Sequence, residues 1–211
     1  DIVCKNDKVY MIIGGKDLLN GKRFDKGGYI LTYDYDKWSF IDPKEAQKKL
    51  NLPRNPRDYT SIAVTTDDSN DEIVYASSMG DGVIQYKNGT PVQSYNEKNA
   101  FKETAGGYGS GYCYIDGLAF DKNGNLWMTS SEVNHAVLVL DKAGAWHRLD
   151  IEQLRGVYTI NDILITSTND KWIYVPRNTP KLVMIPNSES LDEVSSYEFT
   201  TLIDTDGKEL T

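Results

Sequence analysis

Apolar positions in this chain fall in short runs separated by turn-forming clusters. The clearest unit covers residues 115–129. There the apolar Leu118, Ala119 and Phe120 lead through Asp121, Lys122, Asn123, Gly124 and Asn125 to Leu126, Trp127 and Met128. Runs of about five residues around a tight Asn-Gly turn predict a β-hairpin, because Asn and Gly tolerate the positive φ that such turns require. The pattern recurs in weaker form at Asp7 to Ile12, Asn70 to Ala76 and Asn169 to Tyr174. With Tyr10, Val74, Trp127 and Trp172 as equivalents, the spacings are 64, 53 and 45 residues. The shortest spacing is the length of one four-stranded propeller blade, about 40–50 residues, and the longer ones require inserted loops.

In front of these turns, residues 61–64, 117–120 and 162–165 share a register, each a small or acidic residue followed by apolar ones. A third strand is predicted over 83–86, 137–140 and 181–185, and a fourth over 92–95 and 146–149. The fold class that follows is all-β, a β-propeller of four-stranded antiparallel meander blades with about four blades visible. They are placed at about 1–41, 58–95, 114–150 and 157–203. The first is expected to lack its innermost strand, and the turn at Asp204, Thr205, Asp206 and Gly207 to lead toward a further one. Propellers close with about 4–8 blades, so the reading is part of a larger propeller truncated at both ends. A four-bladed ring closed by the two termini is the competing arrangement.

Composition narrows this picture. The 14 Tyr and 4 Trp favour strands. One helix is predicted over residues 43–50, with Asp42 as its N-cap and Pro43 in its first turn. The net charge is −8 without a basic cluster, which argues against nucleic-acid binding through phosphate neutralisation. No run of about 18 apolar residues suggests a membrane-spanning helix. No signal peptide is present, although a mature or excised domain would have lost one. Cys4 and Cys113 read as separate thiols rather than a disulfide.

In a meander blade, the first-to-second and third-to-fourth turns share one face. The second-to-third loops and the links between blades share the other. The extra length of this chain falls on the second set, at residues 14–28, 42–58 and 96–114. Insertions gathered on one face mark the binding face of a repeat protein. The candidate ligand-binding residues there are Arg54, Arg57, Tyr108, Tyr112, Asn134, His135 and Arg177, with Arg23, Tyr114 and Asn178 in the same loops. Arg, Tyr and Asn suit a glycan, an anionic lipid head group or a protein partner. Arg grips carboxylate or phosphate with its planar fork, and rings cover apolar sugar or peptide surface. The plain alternative for each is an ordinary loop residue, with Tyr packing its loop onto the blades.

Catalytic chemistry is hard to assemble. The histidines are His135, in a second-to-third loop, and His147, read as a solvent-facing residue of an outer strand. Two separated histidines do not make a zinc site. The glycine-rich residues 106–111 lack the Lys-Ser/Thr ending of a phosphate loop. The Asp204 turn lacks the full ligand set of a calcium loop. No cofactor, metal or catalytic residue is therefore assigned, and the chain is read as a non-enzyme.

The hairpin at residues 118–129 resembles the two-component regulator propeller repeats of Bacteroidetes, with the form apolar-x-x-Asp-x-x-Gly-x-apolar-Trp-apolar-x-Thr. Blade four departs from it, with Thr166 in place of Asp and Asn169-Asp170 in place of the Gly turn. The link at residues 95–99 and the Gly144-Ala145-Trp146 ending look similar to PorZ-like surface proteins of type IX secretion. The resemblance implies an exported domain, periplasmic or at the cell surface. Its implied partners are a glycan, lipopolysaccharide or another protein, and the remainder of a larger propeller protein. It also implies that Trp127 and Trp172 pack between blades, and it carries over no ligand-binding residue. The alternative function is a lyase- or hydrolase-type propeller enzyme, with His135 beside carboxylates at a central metal-assisted site.

Overall fold

The computed structural model describes residues 1–15, 22, 24–101, 111–177, 180–201 and 205–208. Its strands form four consecutive antiparallel meanders. Blade 1 holds β1 (Ile2–Lys5), β2 (Lys8–Ile13), β3 (Tyr29–Asp34) and β4 (Lys37–Ile41), and blade 2 holds β5 (Tyr59–Thr66), β6 (Glu72–Gly80), β7 (Gly82–Lys87) and β8 (Thr90–Tyr95). Blade 3 holds β9 (Cys113–Phe120), β10 (Leu126–Ser130), β11 (Val137–Leu140) and β12 (Trp146–Leu149). Blade 4 holds β13 (Ile163–Ile165), β14 (Lys171–Val175), β15 (Lys181–Ile185) and β16 (Tyr197–Phe199). The one α-helix among the described residues, α1 (Pro43–Leu50), lies between blades 1 and 2. Asp42 caps it by accepting from the Lys44 amide at 2.9 Å.

Two sequence expectations need correction. Blade 1 has an innermost strand: β1 pairs with β2 through a two-residue turn at Asn6 and Asp7, both at positive φ. That turn is the mirror-type connection that matches strand twist. The equivalence of Val74 with Trp127 is also one residue out. The β5–β6 and β9–β10 turns are both five residues long, so Ile73, paired with Thr65, holds the place of Trp127, paired with Ala119. A one-residue slip reverses the face of every side chain. Val74 accordingly packs toward blade 1 and Ile73 toward blade 3.

Apolar cores lie between consecutive blades. Tyr10, Ile30, Val74 and Ile84 join blades 1 and 2, and Ile115, Leu126, Met128 and Val83 join blades 2 and 3. Trp127, Val139, Ile173 and Val183 join blades 3 and 4. Trp127 is 1% exposed, whereas Trp172 on the far side of blade 4 is half-buried and stacks on Phe199 at 5.4 Å. No core among the described residues joins blade 4 to blade 1. The sides they would present to each other keep Leu164, Tyr197, Trp38 and Phe40 exposed. The arc is open there.

Hydroxyl groups staple the inner strands across the blades. Thr60 Oγ1 donates to the Ile115 carbonyl at 2.6 Å, and Thr129 Oγ1 donates to the Asn161 carbonyl at 2.9 Å. Ser61 Oγ donates to Asp1 Oδ2 at 2.9 Å while accepting from the Leu118 amide at 3.1 Å. Each satisfies backbone groups that inner strands, lacking a further sheet neighbour, would leave unmet.

Candidate functional site

The loop-bearing face is built as the meander topology requires. Antiparallel meander order puts the β6–β7 and β10–β11 connections and the described residues of the links between blades at one end of the strands, with α1 inside the first link. Among the expected residues, Arg54 and Arg57 come together on one carboxylate. Asp81, in the tight turn between β6 and β7, accepts from Arg54 Nε at 2.9 Å, with Arg54 Nη2 at 2.7 Å from the same oxygen. Its other oxygen accepts from the Arg57 backbone amide at 3.2 Å. The Arg57 guanidinium points instead to Asp25 at 3.6 Å, and its carbonyl accepts from Ser78 Oγ at 2.7 Å. Asp81 thereby ties the blade 1–2 link to the blade 2 turn, a pairing across 27 residues that no local pattern beyond the Gly80-Asp81-Gly82 turn signals.

Beside this pairing lies a cavity of about 310 Å³, lined in part by Leu52, Arg54, Asp81, Asn96, Glu97 and Lys98. Its charges balance, and its carboxamide and mixed charges offer both donors and acceptors. Tyr112 is 8% exposed and packs edge-on against Tyr114, with ring centres 6.4 Å apart. It leans on Gly80, where an added Cβ would stand 2.7 Å from the ring. Tyr112 and Tyr114 are thus packing residues of the blade 2–3 junction, where β6 pairs with β9 at Met79 and Tyr114.

The other expected residues sit on the blade 3–4 side. Asn134 is exposed and His135 half-buried, both in the β10–β11 loop. Arg155 chiefly holds the Asp150 carboxyl low, and His135 adds a smaller attraction. Arg177 follows β14 and lays its guanidinium 5.7 Å from the centre of the Tyr158 ring. Tyr108, Arg23 and Asn178 lie outside the described residues, as do 106–110 of the glycine-rich segment and Asp204.

A second cavity of about 300 Å³ opens where the inner strands converge, lined by residues including Asp1, Tyr59, Thr60, Asp116, Asn161 and Asp162. Asp116 is buried and accepts from Ser131 Oγ at 2.5 Å. Of the small or acidic residues that head these strands in the sequence, Asp162 lines this cavity. Among the described residues, no group of three or more His, Cys, Asp or Glu is arranged to hold a metal.

His147 is not the solvent-facing residue expected. Nε2 stands 3.1 Å from Asp141 and Nδ1 3.3 Å from Asp192, so it bridges blade 3 to the segment after β15. These carboxylates, Asp141 foremost, raise its pKa, and the Asp141 carboxyl is lowered in return. Cys4 is exposed and Cys113 buried, and both are free thiols. Burial pushes the Cys113 thiol up to about 12. No helix among the described residues is long and apolar enough to cross a membrane.

No family model matches the chain, and no curated protein does. Solved structures do. PorZ, a surface component of the type IX secretion system of Porphyromonas gingivalis, aligns over 100% of this chain with a TM-score of 0.82 at 18% identity. The chain spans 28% of the length of that protein. The major allergen Mala s 1 of Malassezia sympodialis aligns over 92% of this chain and 60% of its own, with a TM-score of 0.53 at 10% identity. The extracellular domain of a hybrid two-component system of B. thetaiotaomicron aligns over 92% of this chain and 27% of its own, with a TM-score of 0.46 at 16% identity. At these identities the likeness is one of fold, and the fold of this chain is that of β-propeller blades, with PorZ, of a kind that the sequence resembles, among its structural neighbours.

Proposed function

We propose that this chain is part of a non-catalytic recognition propeller, exported to the periplasm or cell surface, that binds a glycan, lipopolysaccharide or a protein partner through its loop-bearing face. One observation carries the reading: the connections are unequal on the two faces. Most turns on the far face are short, such as Asn6-Asp7 and the five-residue turns after β5, β9 and β13, the exception being residues 186–196 between β15 and β16. The near face carries the 15-residue connection between β2 and β3, the helix-bearing link before β5 and the link before β9. Loops on a rigid scaffold are where recognition is placed. The cavity beside Arg54 and Asp81, of a size that holds a small ligand, lies among them. The surface role of PorZ supports an exported setting. The open apolar sides of blades 1 and 4 support completion of the ring by further blades of a larger protein.

The test is a glycan array together with lipopolysaccharide-coated and control surfaces. Wild type is compared with Arg54→Ala and Lys98→Glu, whose side chains line the cavity. Saturable binding weakened at least tenfold by either change supports the reading. Binding that both changes leave intact overturns the role of the cavity, and no binding to any surface by a folded chain overturns the glycan and lipopolysaccharide readings and leaves the protein partner.

A further inference from the structure

The three gaps between consecutive blades are filled differently on the short-turn face, opposite the loops discussed above. Between blades 1 and 2 the gap holds the Tyr10 ring. Its hydroxyl donates to Glu72 at 2.5 Å, and the Lys8 ammonium lies 5.0 Å from the ring centre. Between blades 3 and 4 it holds Trp127, whose Nε1 donates to Asp121 at 2.9 Å, with the Lys171 ammonium 4.5 Å from the ring centre. Both gaps therefore use one device: a flat ring whose donor meets a carboxylate and whose face meets an ammonium.

The gap between blades 2 and 3 departs from this. Strand register puts Ile73 at the position of Trp127, and a cavity of about 550 Å³ opens at that point. Its floor is the open end of the inter-blade core, with Tyr75, Phe120, Leu126 and Leu140 around Ile73. Tyr75 and Phe120 meet edge to face at 5.9 Å, so the walls already suit aromatic contact. At the rim, Asp68 and Lys142 stand 4.0 Å apart, with 98% and 70% of their side chains exposed. A pair so exposed and so long contributes little by itself and is easily separated. The walls above the apolar floor are polar, with Lys87 already paired to Asp67 at 2.8 Å and Lys122 and Asp141 nearby. The cleft thus offers an apolar floor and, in Asp68 and Lys142, a carboxylate and an ammonium that are easily separated, the set that the other two gaps use on their own rings.

We infer that this cleft is a binding site for a flat aromatic ring bearing a hydrogen-bond donor, an indole or a phenol, which takes the place that Tyr10 and Trp127 hold in the neighbouring gaps. The size fits, since small-ligand sites run to about 300–1,000 Å³. The site goes beyond the loop-face reading and is independent of it, because none of its residues lies on that face.

Titration of the chain with indole, phenol and glucose, followed by methyl and amide NMR shifts, tests the assignment. Indole and phenol are expected to bind saturably, with shifts centred on Ile73, Phe120, Leu126 and Leu140. Ile73→Trp supplies the missing ring from within and is expected to weaken indole binding at least tenfold. Lys142→Met, at an exposed side chain that the fold does not need, is expected to weaken it about two- to fivefold, the scale of an exposed cation–π contact. The assignment is overturned if neither ring saturates at millimolar concentration, if glucose binds in their stead, or if indole binding survives either a folded Ile73→Trp chain or Lys142→Met unchanged.

Discussion

Replacement of Asp121 by alanine should be among the most damaging single changes in the chain. Its carboxylate is 7% exposed and accepts four hydrogen bonds. These come from the amides of Asn123 and Asn125 at 2.9 Å, from Asn125 Nδ2 at 3.0 Å and from Trp127 Nε1 at 2.9 Å. The charge also acts on the Lys171 ammonium. Lys171 is 2% exposed, and burial lowers its pKa against the opposing pull of Asp121 and Asp170. Loss of the carboxylate frees one exposed amide, at Asn123, which water can satisfy. It also frees donors at the buried Asn125 and Trp127, at about 1–3 kcal/mol for each left unsatisfied. Removal of one member from a buried charge set costs about 3–5 kcal/mol. These overlap, so the expected loss for Asp121→Ala is about 3–5 kcal/mol. Asp121→Asn keeps one acceptor oxygen and should lose about half of that.

The assay is urea unfolding followed by circular dichroism, with unchanged slope as the sign that only stability moved. A third variant isolates the charge contribution. Lys171→Met removes the buried ammonium and should itself destabilise, because one partner of a buried charge set is left behind, but by less than Asp121→Ala, since the Asp121 carboxylate keeps its four donors. In that background, Asp121→Ala should cost at least about 1 kcal/mol less than in the wild type, a coupling typical of residues in one network. A loss below about 1 kcal/mol for Asp121→Ala, or equal losses for Ala and Asn, would refute the reasoning.

Two further outcomes can be measured with the same assay. His147 has a pKa raised by Asp141 and Asp192, so its bridge is fully present below the ordinary histidine value of 6.5 and fades as pH rises through the raised value. His147→Gln should therefore destabilise by up to about 1 kcal/mol at pH 5 and by less at pH 9; equal losses at both would remove the role of its charge. Gly80 has φ of 124° and no room for a Cβ, which would meet the Tyr112 ring at 2.7 Å. Gly80→Ala should cost about 2–4 kcal/mol from backbone strain and overpacking together, and Tyr112→Ala in the same chain should recover part of it.

The parts of this fold that were legible in the sequence are those whose cause is local. The Asp121-to-Trp127 hairpin could be read because its turn, its acceptor and its ring lie within seven residues and bond to one another. The helix α1 could be read because Asp42 caps its own first turn. The errors arose where the cause is distant or two-sided. Blade 2 buries both faces of β6, so Ile73, Val74, Tyr75 and Ala76 form an unbroken apolar run with no alternation to fix parity. Without a tryptophan to mark the register, Val74 was the natural equivalent of Trp127, and only pairing with Thr65 shows that Ile73 is. The first strand was missed for the opposite reason: Ile2–Lys5 is short and mostly exposed, although Asn6-Asp7 is a recognisable hairpin turn.

The site residues follow the same division. Arg54 was assigned to the loop face from its residue type and its loop, but its partner Asp81 is 27 residues away and visible only in the folded chain. Tyr112 shows the converse, because its proximity to β9 buries a ring that composition alone would place at a binding surface. The cleft between blades 2 and 3 lies between these cases. Its cause is a single local residue, Ile73, but that residue is conspicuous only beside the rings of Tyr10 and Trp127. A repeat protein displays a site most clearly where one copy omits what its neighbours supply. Such an omission can be found in a sequence only after strand pairing has aligned the copies to the residue.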